Sequence, residues 1–290
     1  MSQMQGRVCI VTGATNGIGE VTALELARMG AIVVIVGRSE NKVKTTIQKI
    51  KSAVPHADVH YLIADLSLMH DVKRIADEFR AKFDRLDVLV NNAGARFTER
   101  VMTSEGLEMT FALNHMSYFY LTHLLLDMLK SSGTPAHKSR VVNVSSSAHQ
   151  IGKLNFDDIQ LSQKYGAFYA YGQSKMMNII FTNELSRRFI SENANVTANS
   201  LHPGAVRTGF GANNKGAFQF IITILRPFFL TPEQGAQTSI YLASSPEVEG
   251  VTGKYFAKSK PKPANKNAYV ESDWTRLWAY SEETLRKLGL

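Results

Sequence analysis

The sequence predicts an α/β fold: a doubly wound, seven-stranded parallel sheet with helices on both faces. Three observations lead there. Short apolar runs rich in β-branched residues alternate with helical patterns along the chain, the first run leads straight into a glycine-rich turn, and Gly, Asn and Ser recur where the runs end. Right-handed crossovers would bring those polar ends to one edge of the sheet, the edge where open parallel sheets bind ligands.

Length and composition set the frame. With 290 residues, 44% hydrophobic and 20% charged, residues 1–290 are expected to form one globular domain. No apolar run reaches the roughly eighteen residues needed to span a bilayer, so no transmembrane segment is expected. The N-terminus enters a strand pattern at Val8 without the features of a signal peptide, and a cytoplasmic protein is expected. The single cysteine, Cys9, sits inside that strand and reads as a core thiol; no Cys/His spacing suggests a metal site. The formal charge of +8 is scattered, apart from a cluster at Lys254 to Lys266 that reads as a solvated, Pro-interrupted loop. No motif supports nucleic-acid binding.

Arg7 to Thr12 is the first strand, and Gly13-Ala14-Thr15-Asn16-Gly17-Ile18-Gly19 follows it before a helical pattern from Glu20 to Met29. Glycines let a backbone approach a pyrophosphate, and the open N–H groups of a helix start attract anionic oxygens. The second strand, Ala31 to Val36, ends at Gly37-Arg38-Ser39. A carboxylate here would accept from a ribose 2′-hydroxyl, whereas an Arg suits a 2′-phosphate, so NADP is preferred over NAD. After a Lys-rich helix from Asn41 to Ser52, strand three runs from Val59 to Ala64 and ends at Asp65, which either accepts from an adenine amine or caps the next helix. That helix extends through Phe83, and strand four, Leu86 to Val90, ends at Asn91-Asn92-Ala93-Gly94.

The segment Glu105 to Lys130 has a helical pattern and holds Asn114 among apolar residues. A buried Asn must be satisfied, as a structural bridge or as the holder of a functional water. Strand five, Arg140 to Val144, ends at Ser145-Ser146-Ser147. A helix around Tyr169 to Phe181 then carries Tyr171 and Lys175 one turn apart on one face, with Met177, Ile180, Phe181 and Leu185 as its apolar stripe. A cation beside a phenol favours the phenolate and lowers the Tyr pKa toward working pH, as a general acid/base requires. Strand six, Val196 to Leu201, ends at His202-Pro203-Gly204-Ala205-Val206-Arg207-Thr208; a helix over Pro232 to Ser244 and a seventh strand, Gly253 to Ala257, follow.

In order, the motifs TGATNGIG, NNAG, Asn114, the serine after strand five, YGQSK and PGAVRT resemble those of the short-chain dehydrogenase/reductase family along nearly the whole chain. The resemblance implies a Rossmann-type fold and an oxidoreductase in which Tyr171 exchanges a proton with the reacting oxygen while hydride moves to or from the cofactor. Lys175 would lower the Tyr171 pKa and bind the nicotinamide ribose. Ser146, second serine of the V-N-V-S-S pattern, would hydrogen-bond the reacting oxygen, and Asn114 would hold a water linking Lys175 to solvent. Cofactor contacts are implied for Gly13, Thr15, Asn16, Gly17, Ile18, Gly19, Arg38, Asp65, Leu66, Asn92, Ala93, Gly94, Tyr171, Lys175, Pro203, Gly204, Val206 and Thr208.

The long interval between Ser146 and Tyr171 and the stretches EQGAQTSIYLASSPEVEGVTGKYF and TRLWAYSEETL look like the retinol dehydrogenase and WW-domain oxidoreductase branch. The implied reaction is NADP(H)-dependent interconversion of a carbonyl and an alcohol on a lipophilic aldehyde, ketone or retinoid-like substrate. Steroids or small ketones are the alternative substrates, and an NADP-sensing or scaffold protein with little turnover is the alternative from another class. A substrate lid is expected over about 209–231 and a C-terminal segment over about 258–290. The apolar stretch 218–230 reads as lining a greasy pocket, resting on a membrane surface or forming an oligomer contact. Family members often form homodimers or homotetramers through the helices that carry Asn114 and Tyr171.

Overall fold

The computed structural model describes residues 4–206 and 230–290. Eight strands form one sheet in the order β3-β2-β1-β4-β5-β6-β7-β8. They are β1 (Val8–Thr12), β2 (Ile32–Gly37), β3 (Val59–Ile63), β4 (Val88–Asn91), β5 (Ser139–Val144), β6 (Val196–His202), β7 (Tyr255–Ala257) and β8 (Lys260–Lys262). β1 pairs in parallel with both β2 and β4, Val8 opposite Ile32 and Cys9 opposite Val88. Strand order reverses there, opening the crevice at the strands' carboxyl ends.

The helices are α1 (Gly17–Arg28), α2 (Glu40–Ala53), α3 (Met69–Arg80), α4 (Met109–Phe111), α5 (Ser117–Leu124), α6 (Leu126–Ser132), α7 (Ala167–Ser191), α8 (Pro232–Ser244) and α9 (Glu271–Lys287). One face of the sheet packs Cys9, Val11, Val33 and Ile35 with Leu26 of α1, Ile50 of α2 and Leu242 of α8. The other packs Val8, Ile10 and Val34 with Phe79 of α3, Phe119 of α5 and Phe181 of α7. Alternate residues of each central strand thus serve opposite layers, which is why the strands are apolar throughout. Cys9 lies fully in this core, where burial pushes its thiol well above the usual range and keeps it inert.

Two expectations are corrected. The sheet has an eighth strand, antiparallel to β7, with Tyr255 opposite Lys262. Lys258 and Ser259 take left-handed conformations (φ 53° and 56°) and turn the chain in a tight hairpin, so Lys260–Lys262, within the basic stretch read as a loop, form an edge strand. Lysines and a proline suit an exposed edge, which they protect from pairing with other chains, and they also hide it from a hydrophobic pattern. The expected helix from Glu105 to Lys130 is broken into three. It begins at Met109, where the Glu108 carboxylate accepts from the backbone N–H of Thr110 (2.9 Å) and Phe111 (2.7 Å). It then widens into a π-helical turn at Ala112–Met116 and breaks again at Leu125. π-turns displace backbone hydrogen bonds and recur at functional sites.

α9 lies across α5 and α7, the two helices expected to join subunits. Trp278 meets Phe119 edge-on at 5.0 Å and Phe181 at 6.0 Å, and the Arg188 guanidinium sits 3.9 Å over its ring. Leu277, Trp278 and Leu285 are buried there, each contributing about 1.5–3 kcal/mol. His115 of the π-turn bonds Ser281 of α9 through Nε2 (2.9 Å).

Burial lowers the His115 pKa from 6.5 to about 3, so this imidazole stays neutral when folded. Between those values the unfolded chain binds the extra proton, and stability contributed by this group is lost as pH falls below 6.5. In His115→Phe, Ser281 keeps its bond to the Leu277 carbonyl (2.8 Å). Denaturant titration at pH 7.5 and pH 5 is expected to show the variant gaining about 2 kcal/mol on the native chain over that interval. An unchanged difference would mean that His115 titrates normally.

Candidate active site

The catalytic candidates converge at the carboxyl ends of β4 and β5. α7 crosses the sheet there because Ser145 donates from its hydroxyl to the Lys175 carbonyl (2.7 Å), and Gly172 lets the short 3-10 helix Ser147–Ile151 lie against it. A Cβ on Gly172 would stand 2.7 Å from the Ala148 carbonyl oxygen, so any other residue would drive the two elements apart. That approach brings the Ser146 side chain to the Tyr171 hydroxyl, where the two hydrogen-bond. The backbone N–H of Ala148 donates to the Ser146 oxygen (3.2 Å), which leaves the serine proton to be donated to Tyr171. Ser145 and Ser146 face opposite ways, as neighbours in an extended strand do.

Lys175 lies one turn from Tyr171, buried, its Nζ 5.6 Å from the centre of the Tyr171 ring and 5.6 Å from that of Tyr118. The ammonium donates to the Val144 carbonyl at the end of β5 (3.0 Å). Gly94 sits between Lys175 and Asn114, close enough that a Cβ would stand 3.2 Å from the Nζ and 3.1 Å from the Asn114 Oδ1.

The electrostatics differ from the expectation that Lys175 lowers the Tyr171 pKa. Burial pushes the phenol up to about 12; the Ser146 hydrogen bond and the Arg96 guanidinium pull it the other way. Burial likewise brings Lys175 down to about 7, so this amine is no permanent cation at neutral pH. Desolvation is the largest cause of both shifts.

Asn114 resolves in favour of a bridge as far as its side chain goes. Its Oδ1 accepts from the Ala95 N–H (2.9 Å), while its Nδ2 donates to the Ala95 carbonyl (2.9 Å) and the Ser174 hydroxyl (3.0 Å). It welds the segment after β4 to α7.

The phosphate end of the crevice is the Gly-rich turn. Gly13 takes φ +66°, and a Cβ on it would stand 2.8 Å from the Ala93 Cα, so Ala93 and the turn pack directly on each other. Asn92 donates from Nδ2 to the Thr12 (2.8 Å) and Gly13 (3.3 Å) carbonyls, and the Thr12 hydroxyl accepts from the N–H of Asn92 (2.9 Å) and Ala93 (3.0 Å). Asn92 therefore shapes the turn. Asn16 is the N-cap of α1 and makes no side-chain cap bond, so the first amides of α1, at Gly17, Ile18 and Gly19, stay available to an anion. Thr15 flanks the end of β2, its methyl 2.6 Å from where a Gly37 Cβ would stand.

At the adenosine end Arg38 is 73% exposed, its guanidinium 4.0 Å from the Asp65 carboxylate. Asp65 caps no helix: it accepts from the N–H (3.0 Å) and hydroxyl (2.7 Å) of Ser67, while Glu105, from far along the chain, accepts from the first amides of α3 at Met69 (2.6 Å) and His70 (3.0 Å). Leu66 is buried beneath. After β6, Pro203 and Gly204 lead to Val206, which bridges to Leu230 and packs with Ile18 against Gly235. Thr208 and nearly all of the expected lid at 209–231 lie outside the described residues.

These residues fit a nicotinamide dinucleotide: an uncapped helix start behind a tight glycine turn, a cation where the second strand ends, and a phenol, amine and hydroxyl gathered beyond the sheet's edge. Among the described residues there is no cluster able to hold a metal ion and no helix long and apolar enough to cross a membrane. Sequence reasoning missed Arg96, Tyr118, Thr12 and Gly172. Only Thr12 and Gly172 had a signal, each lying within a quoted motif.

Residues 7–217 match the family described as short chain dehydrogenase. Human polyprenol dehydrogenase is 41% identical over 278 residues, covering 96% of this chain and 84% of the relative, and human retinol dehydrogenase 14 is 41% identical over 300 residues, covering 96% and 86%. Among solved structures, an uncharacterized protein from Mycobacterium paratuberculosis superposes with TM-score 0.78 at 29% identity over 97% of this chain and 94% of its own. The Pseudomonas aeruginosa RhlG/NADP active-site complex follows at TM-score 0.70 and 27% identity, over 88% and 96%. The chain therefore belongs to the short-chain dehydrogenase family of oxidoreductases acting on CH–OH and C=O groups, in the branch that holds the retinol dehydrogenases.

Proposed function

We propose that this protein interconverts a carbonyl and an alcohol on a lipophilic aldehyde, ketone or retinoid-like substrate with NADP(H) as its preferred cofactor. The observation that carries the reading is the Ser146–Tyr171 hydrogen bond beside buried Lys175, at the ligand-binding edge of the sheet. The names of the retinol and polyprenol dehydrogenase relatives support a lipophilic alcohol or carbonyl.

A bound nicotinamide supplies or accepts the hydride. The protein handles the proton and the charge on oxygen. A Tyr171 phenol at about 12 is protonated at neutral pH, ready to donate to a carbonyl oxygen as it gains negative charge. With substrate bound, the Ser146 proton would turn from Tyr171 to that same oxygen and disperse its charge. Lys175, near 7, can deliver a proton to the phenolate that results and be refilled from solvent. Arg38 would grip a 2′-phosphate, a group that NAD lacks.

The test follows NADPH and NADH oxidation against retinal, long-chain aldehydes, a steroid ketone and small diketones. NADPH should be used well ahead of NADH on the lipophilic members. Arg38→Ala should reduce that preference about 10–100-fold, the loss of one or two charge-assisted hydrogen bonds. Equal use of both cofactors by the native chain would end the NADP assignment. Tight NADPH binding without hydride transfer across the panel would favour a sensing role.

A further inference from the structure

We infer that Asn178 is a positioning residue for Lys175: its side-chain amide steadies the Val144 carbonyl on which the Lys175 amine is anchored, and so fixes where that amine is presented to the crevice. The inference rests on the proposed reading of Lys175 as part of the reacting site.

The sheet itself leaves the Val144 carbonyl to side chains. β4 ends at Asn91, opposite Asn143, so the carbonyl of the next β5 residue lies beyond it. Three donors converge on that oxygen: the Lys175 Nζ at 3.0 Å, the Asn178 Nδ2 at 3.3 Å and the Tyr118 hydroxyl at 3.5 Å. Lys175 and Asn178 are three residues apart on α7, which places them on one face, and both meet the same atom. A carbonyl oxygen has two lone pairs, and a bond to each restricts the swing of the peptide that carries it. A lysine on its flexible four-carbon stem has no such restraint of its own, so the direction of its amine is set by what it bonds. One N–H of the ammonium is spent on this carbonyl, which leaves two for a ligand.

Asn178 is retained at a cost. It is fully buried, and its Oδ1 meets no donor among the described residues. Such an amide is worse for stability than an apolar side chain of its shape. Nor is it needed to seat α7 on β5. The Asn143 Nδ2 donates to the Thr182 hydroxyl (2.9 Å), which donates to the Asn178 backbone carbonyl (2.6 Å), and the Ser145 hydroxyl donates to the Lys175 carbonyl (2.7 Å). All three bonds survive without the Asn178 side chain. What its amide adds is a second hold on the oxygen that anchors Lys175.

The test is a double-mutant cycle of native protein, Asn178→Leu, Lys175→Met and the two combined. Each is read by NADPH affinity in fluorescence titration, by kcat/KM for retinal reduction and by the thermal midpoint. Asn178→Leu is expected to lower kcat/KM about tenfold and to weaken NADPH binding severalfold, with the thermal midpoint at or above that of the native protein. In the Lys175→Met background the same substitution should change affinity and rate by less than about twofold, because the group through which it acts is gone. Asn178→Ala, which cannot overpack the site, is carried through the same cycle and should show the same dependence on Lys175. Equal losses in the two backgrounds overturn the inference, as does native affinity and rate in Asn178→Leu. If native protein turns over no member of the substrate panel, the proposed reaction falls, and the affinity cycle still decides the role of Asn178.

Discussion

Tyr171→Phe is expected to lower kcat/KM for carbonyl reduction roughly 10²–10⁴-fold while the protein stays folded and binds NADPH as before. The substitution removes one oxygen and leaves the ring in place beside Lys175. Ser146 loses one partner but still accepts from the Ala148 N–H, so the turn after β5 should hold. What disappears is the proton donor, and among the described residues no other group is placed to replace it: the buried Lys175 amine is anchored to the Val144 carbonyl, and His202 is kept neutral, its pKa lowered to about 4 by burial. Cofactor affinity by fluorescence titration and turnover by NADPH absorbance separate the two effects. Turnover that persists at an undiminished rate would remove Tyr171 from the reaction.

Lys175→Met should abolish most activity and, against intuition, stabilise the protein. Burial holds this lysine near 7 against 10.5 in the unfolded chain, so the unfolded state binds more protons between those values. The penalty is therefore full at and below pH 7 and fades as pH rises toward 10.5. Methionine fills similar space without a charge, and the Val144 carbonyl keeps a donor in Asn178 Nδ2 (3.3 Å). A gain of about 2–5 kcal/mol is expected near pH 7, shrinking at pH 10, with activity down by two orders of magnitude or so. Chemical denaturation at the two pH values measures the first, and a rate assay the second. If the variant is less stable at pH 7, the amine is contributing more through hydrogen bonding than its burial costs. Stability held back by a group that the reaction needs is a common trade at active sites.

Much of the plan was readable from local patterns, and the reasons are physical. β1, the Gly13–Gly19 turn and α1 obey short-range rules of periodicity and backbone freedom, so the turn's place followed directly. The alternation of side chains along β5 separates Ser145 from Ser146, and the helical repeat puts Tyr171 and Lys175 on one face. The polar strand ends at Asn91–Gly94 and after His202 lie on one edge of the sheet, as the strand pattern implies.

Other features arise only when distant segments meet. Glu105 caps α3 from another element, Gly172 matters because a 3-10 helix lies on it, and the π-turn around Asn114 is set by a clamp to Ala95. β8 carries an edge's composition, which resembles a loop's. The electrostatics depended most on tertiary structure. The sequence alone determined that a phenol, an amine, a hydroxyl and a glycine turn share one sheet edge. How far the phenol and the amine move from their ordinary ranges was decided by packing, because no spacing along a chain records how much water a side chain loses.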